Sequence, residues 1–116
     1  MNGSVNKCIF VGNLGADPET KVTPNETVIT TFSMATSYSR NHEEHTEWHK
    51  IKLIGRLAEI ADKYLQKGSK VYIESRAQTD TWLDNQTQEK RSQHWFIGTK
   101  MEMLGNNKEP EEEAPY

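Results

Sequence analysis

The stretch Thr46-Glu47-Trp48-His49-Lys50-Ile51-Lys52-Leu53-Ile54, followed after Gly55-Arg56 by Leu57-Ala58-Glu59-Ile60-Ala61-Asp62-Lys63-Tyr64-Leu65-Gln66, decides the fold. In a strand, side chains alternate between the two faces. Trp48, Lys50, Lys52 and Ile54 then share one face, and Glu47, His49, Ile51 and Leu53 share the other. The second face holds the apolar pair that a core needs. In the second half, Leu57, Ile60, Ala61, Tyr64 and Leu65 recur at helical spacing and form one apolar stripe. Gly68 stands just beyond as a helix stop. A half-buried strand over 46–54 therefore runs straight into an amphipathic helix over 57–66.

Working outward, residues 5–11 read as a strand that ends in the turn-like Gly12-Asn13-Leu14-Gly15. Asp17-Pro18-Glu19 and Pro24-Asn25 mark loops. Residues 27–36, rich in Thr and β-branched side chains, read as a second strand. Residues 37–45 are polar and read as a mobile hairpin loop. After the helix come strands over 69–77 and 90–103, with a hairpin tip at 82–87. Residues 1–105 are expected to form one domain, and 106–116 a disordered acidic C-terminal tail. The order is three strands, a helix, then two strands. That order suits an all-β OB-fold, a five-stranded Greek-key barrel with a helix between strands three and four, and small α+β domains share it.

A chain of 116 residues suits one ordinary domain. The hydrophobic fraction of 34% is low, which suits a small barrel or a subunit that buries more surface in an oligomer. No run of about 18 apolar residues spans a membrane, and no secretory signal opens the chain. The single cysteine, Cys8, cannot form an internal disulfide, which is compatible with a reducing cytoplasm. It reads as a small buried side chain, without partners that would make it a nucleophile. The net charge is −3. Residues 108–116 set Lys108 against Glu109, Glu111, Glu112 and Glu113, so residues 1–107 hold 13 bases and 13 acids. Total charge thus does not announce a polyanion partner, and placement has to.

On the Trp48 face a large aromatic lies beside two ammonium groups. Single-stranded nucleic acid exposes unstacked base faces and phosphates together. An indole stacks on a base for roughly 1–3 kcal/mol, and lysines release counterions from phosphates. Two lysines beside Trp48 are hard to bury, which argues that this face is exposed. Trp82, near a polar hairpin tip, has little core to enter. Trp95 alternates with Ile97, Met101 and Met103 and reads equally well as core.

These residues also fall into an ordered set of motifs. The chain resembles the bacterial single-stranded DNA-binding protein (SSB) family through the run Val5 to Glu19, through Thr46-Glu47-Trp48-His49-Lys50, and through Leu57-Ala58-Glu59 with Tyr64-Leu65-Gln66-Lys67-Gly68-Ser69. Val71-Tyr72-Ile73-Glu74 and Met101-Glu102-Met103-Leu104 complete the match, which covers about residues 4–105. The resemblance implies an OB-fold, usually a homotetramer, that wraps single-stranded DNA without sequence preference in replication, recombination and repair. It implies a cytoplasmic, nucleoid-associated protein with no catalysis, no cofactor and no metal. By position, Trp48 and Trp82 match stacking tryptophans. Lys7, Lys21, Lys50, Arg56 and Lys67 match basic backbone contacts, and Lys52 joins them by its place on the Trp48 face. His49 and Tyr72 match subunit contacts. Lys70 and Glu102 fall where many members have uncharged polar interface residues, which suggests a cross-interface ion pair.

The departures are informative. Arg40 stands at the place of a third tryptophan and Ile54 at the place of a stacking phenylalanine. Gln78, Asp80 and Thr81 precede Trp82 where members often carry bases. Arg40 can still stack on a base. Weaker binding and a shallower salt dependence than in a typical member are expected. The ending Glu111-Glu112-Glu113-Ala114-Pro115-Tyr116 keeps the order of a family tail that docks DNA-processing proteins, with Ala114 and Tyr116 substituted. The usual long linker is missing, so the tip reaches at most about 40 Å from Gly105. That shortening leans toward a phage- or plasmid-encoded member. A primosome or plasmid accessory OB-fold protein, with a dimer as its mark, is the alternative, as are an RNA-binding module and a protein-interaction subunit. His42, His45 and His49 have a metal-like spacing. Two of them sit in the polar 37–45 segment and the third faces away from Trp48, so no metal site is expected.

Overall fold

Alternation is the organising signal along the long strands. Burial switches residue by residue through Phe32 and Met34, Ile51 and Leu53, and Val71 and Ile73, all nearly or fully buried. The computed structural model describes residues 3–108. Its elements are β1 (Cys8–Leu14), β2 (Glu19–Val22), β3 (Val28–Arg40), β4 (Glu43–Ile54), α1 (Arg56–Tyr64), β5 (Lys70–Leu83) and β6 (Lys90–Gly105).

The strand order is β1-β5-β6-β4-β3-β2, with a further β1–β3 pairing. That extra pairing closes β1, β5, β6, β4 and β3 into a five-stranded barrel, and β2 extends β3 outside the ring. The ring contains one parallel contact, Ile51↔Phe96 and Lys52↔Ile97 between β4 and β6. Closure occurs at Asn13↔Ala35 and Leu14↔Met34. There β1 passes so close to β3 that a Cβ on Gly12 would lie 2.1 Å from the Ala35 carbonyl oxygen. The helix lies between the third and fourth strands of the ring, as the sequence order requires.

The core joins Leu14, Phe32, Met34, Ile51, Leu53, Val71 and Ile73 to Ala58, Ala61 and Leu65 from the helical segment. Burying each of the large side chains stabilises by roughly 1.5–3 kcal/mol. Two buried hydroxyls stay satisfied. Thr30 donates to the Ala58 carbonyl at 2.8 Å. Ser69 donates to the Asn106 carbonyl at 2.8 Å and accepts from the Gln66 N–H at 3.0 Å. Past the last strand, the Lys108 N–H donates to the Tyr64 carbonyl at 2.8 Å.

Several expectations need correction. Residues 37–45 are not a mobile loop but the paired end of β3 and β4, in register from Ser37↔Thr46 to Arg40↔Glu43. The turn is Asn41-His42, with φ of 52° and 67°, the two-residue geometry that matches strand twist. The helix covers 56–64 rather than 57–66. Leu65 is extended yet fully buried, so its apolar spacing reports burial and not helicity. Gly12 to Leu14 continue β1 instead of turning. Residues 19–22 form the additional strand β2. β5 runs on to Leu83, well beyond 77. Cys8 is half-buried rather than buried. The acidic tail from Glu109 onward, with Glu111, Glu112, Glu113, Ala114, Pro115 and Tyr116, lies outside the described residues.

Candidate nucleic-acid interface

The face read from 46–54 exists as expected. Trp48 and Ile54 are exposed, Lys50 is exposed and Lys52 half-buried, while Ile51 and Leu53 are fully buried. Register extends this face sideways, because antiparallel partners point the same way. Ala35 lies opposite Trp48, Ser33 opposite Lys50 and Thr31 opposite Lys52. The result is a groove of about 440 Å³ bordered by Gly15, Ala16, Asp17, Glu19, Ser33, Trp48, Lys50 and Trp95. The Trp48 ring rests on the chain at Gly15, where an added Cβ would lie 2.4 Å from the ring. A glycine there leaves room for the edge of the indole while 59% of the residue stays in solvent. Asp17 on the wall is itself held, since its carboxylate accepts the Lys67 N–H at 2.8 Å.

Trp95 is the residue that sequence reasoning left undecided. It lines the same groove as Trp48, half-buried, with the ammonium groups of Lys52 and Lys50 at 4.7 and 5.8 Å from its ring centroid. The alternation argument missed this because of a bulge. Glu74 pairs with Lys100 and Ser75 with Gly98, so Thr99 is an extra residue on β6. Trp95 and Met101 therefore do not share a face, although their spacing says so. The parallel register sets Ile97 beside Lys52 and hence Trp95 toward Lys50, and no sequence pattern marks that register.

Across β6, the outer residues of β5 form a chain of polar contacts. Arg76 donates to Gln78 at 2.6 Å, Gln78 donates to Asp80 Oδ1 at 3.0 Å, and Lys52 Nζ donates to Asp80 Oδ2 at 2.9 Å. Gln78 and then Lys52 hold the Asp80 carboxyl below its usual range. Farther along, Trp82 is 50% exposed opposite Arg91. Asp84 braces the tip by accepting the N–H groups of Gln86 and Thr87, which hold its carboxyl below the ordinary range, and by pairing with Arg91 at 3.3 Å.

The other expected residues scatter around this surface. Lys21 is exposed on β2, in line with Ile29 and Ile54. Arg40 is exposed at the end of the β3–β4 ribbon, and Lys67 is exposed beside Asp17. Arg56 borders a different groove, with Ile60, Tyr64 and Met103 beside the helix. Lys7 pairs with Glu74 at 3.2 Å, and Glu74 accepts the Tyr72 hydroxyl at 2.7 Å. That hydroxyl and Lys7 lower the Glu74 carboxyl, and the same hydrogen bond raises the Tyr72 phenol. Tyr72 sits beside Val11 and Glu102, and Ile9 and Val11 are 54% and 47% exposed along β1. Lys70 is exposed on β5, near the Gly105 end of β6. His49 turns inward, stacking on Phe10 at 4.2 Å between ring centroids and bonding Thr36 at 2.9 Å. Burial lowers its pKa, which the Glu47 charge partly offsets. His45 stacks instead on Tyr38 out on the ribbon, so the histidines do not converge.

The match to known proteins agrees with this architecture. Residues 5–104 match the Single-strand binding protein family. The chain is 43% identical over 110 residues to Single-stranded DNA-binding protein 1 of Chlorobaculum tepidum, covering 90% of this chain and 68% of that protein. Among solved structures, the Plasmodium falciparum SSB complex with ssDNA superposes with a TM-score of 0.79 at 27% identity, over 90% of this chain and 99% of that one. With a closed five-stranded barrel, one helix in the required place and a match that runs through nearly every strand, the chain belongs to the single-strand binding protein family.

Proposed function

We propose that this chain binds and protects single-stranded DNA without sequence preference during replication, recombination and repair. Bases stack on Trp48 and Trp82, and phosphates meet Lys50, Lys52, Lys7, Lys21, Arg40, Arg56 and Lys67. The observation that carries the reading is Trp48, more than half exposed, its ring edge against Gly15 and bordering a groove with Lys50. A protein does not keep an indole in water for stability, since burying it would be favourable. A ring left open to solvent is a platform for another ring.

Assembly into a homotetramer, with a dimer as the alternative, is supported by the exposed Ile9 and Val11 beside Tyr72. Lys70, Glu102 and His49 complete the proposed subunit contacts. The acidic ending from Glu111 to Tyr116 is proposed to dock replication and repair proteins. No catalytic step is part of this reading.

Tryptophan fluorescence titrated with oligo-dT tests it. Saturable quenching is expected, with Trp48→Ala binding roughly 5- to 100-fold more weakly, as one lost stacking contact implies. An unquenched wild-type chain that also fails to shift labelled oligo-dT would refute the reading.

A further inference from the structure

Of the three ion pairs among the described residues, one is set apart by burial. In Lys7–Glu74 and Arg91–Asp84 the basic side chain is 55% and 51% exposed, but in Lys52–Asp80 it is only 20% exposed. The basic partner in each of the first two stays largely in water, where such pairs contribute little. In the third the lysine is largely covered while Asp80 stays partly exposed at 34%. Lys52 comes from β4 and Asp80 from β5, so the pair bridges β6, with the Lys52 ammonium over the Trp95 ring. Both carboxylate oxygens are held, one by Lys52 and the other by Gln78, which is in turn held by Arg76.

A carboxylate 2.9 Å from a lysine ammonium that itself lies over an aromatic ring offers that ammonium what a DNA phosphate would offer. We propose that Asp80 is a built-in substitute for a DNA phosphate: it holds Lys52, whose ammonium lies over Trp95, and a bound strand must displace it to engage Lys52. The proposal rests on the reading of the groove as a single-stranded DNA interface. Its physical consequence is an exchange rather than an addition. A free lysine that meets a phosphate releases condensed counterions, about 0.7 per phosphate on a single strand. Lys52 already has an anion, so taking a phosphate leaves Asp80 unpaired beside the strand. Asp80 thus sets a ceiling on affinity and flattens the response to salt.

The test is binding of 5′-labelled oligo-dT, followed by anisotropy at several salt concentrations, with wild type, Asp80→Asn, Lys52→Gln and the double variant. Asp80 makes only side-chain contacts on a partly exposed strand end, so Asp80→Asn keeps the fold. The expected result is about tenfold tighter binding by Asp80→Asn at low salt and a slope of log affinity on log salt steeper by about 0.7. Lys52→Gln should cost about threefold in wild type but tenfold or more in the Asp80→Asn background, the coupling that a shared contact produces. An unchanged Asp80→Asn, or a gain that persists in full without Lys52, would overturn the proposal. The second outcome would mean simple repulsion between Asp80 and DNA. Failure of the wild-type chain to bind oligo-dT would instead remove the reading of the groove, and the proposal with it.

Discussion

At position 15 the absence of a side chain does the positioning. An alanine there would place its Cβ 2.4 Å from the Trp48 ring. The ring is at the surface, so it can swing away without disturbing the core. Gly15→Ala is therefore expected to weaken oligo-dT binding about three- to tenfold, short of losing the stacking contact outright, while the unfolding midpoint hardly moves. Titration and thermal unfolding on the same sample would check the two halves. His49 behaves differently, since its ring is partly buried against Phe10. Burial on Phe10 and Phe96 lowers its pKa from 6.5. Its neutral form is favoured in the folded state, so the unfolded chain binds more protons once the pH falls below 6.5. Stability from this residue is unaffected above that pH and declines below it, levelling off under the lowered folded value. Denaturant unfolding between pH 7.5 and 5 should show the decline, and His49→Gln should flatten it. The position of Trp48 was legible from alternation alone. That of Trp95 was not, because one extra residue at Thr99 changes the face of everything before it.

Between residues and the whole lie the ribbons, where the sequence was hardest to read. Beyond Ala35 and Trp48 the β3–β4 pair carries only exposed or half-exposed side chains, Thr36 to Arg40 on one strand and Glu43 to Glu47 on the other. No face of it is buried, so no apolar alternation marks it as strand, and polar composition reads as loop. The β5–β6 pair beyond Ala77 has the same character. Backbone pairing and local contacts hold them, such as Tyr38 on His45 at 5.1 Å and Thr79 bonded to His94 at 2.9 Å. Without a core, such segments open locally at low cost. Hydrogen exchange should therefore be fast at residues 37–46 and slow at Ile51, Leu53 and Ile73. At His42, with φ of 67°, a side chain is disfavoured. His42→Gly should slow exchange in the hairpin by about a factor of five, roughly 1 kcal/mol of local stability, and leave exchange in the core unchanged.

For the whole molecule, the decisive contact is the closure of the ring. Only Asn13↔Ala35 and Leu14↔Met34 join β1 to β3. Gly12 makes that approach possible, and the atom opposing it is backbone, which cannot rotate away. Gly12→Ala is expected to cost at least about 3 kcal/mol, read as a lower urea midpoint. Strand number and helix position followed from the order of apolar patterns, because each barrel strand buries one face. The sixth strand did not, since Glu19 to Val22 bury little and gain their order from pairing with Thr31 to Val28.

The two coreless ribbons have a further consequence. Some of the residues proposed to meet a partner stand apart from those that hold the chain together. Arg40, Gln78, Asp80 and Trp82 stand on ribbon ends, while closure and core rest on Gly12, Met34, Ile51 and Ile73. At these ends foldability and the proposed affinity are separable, unlike at Trp48, Lys50 and Lys52, which share β4 with the buried Ile51 and Leu53. A library confined to residues 37–46 and 78–93 could traverse a wide range of binding strengths with the barrel left as it is. Tight and weak versions of one scaffold would then be neighbours in sequence space, separated by single changes at the arms.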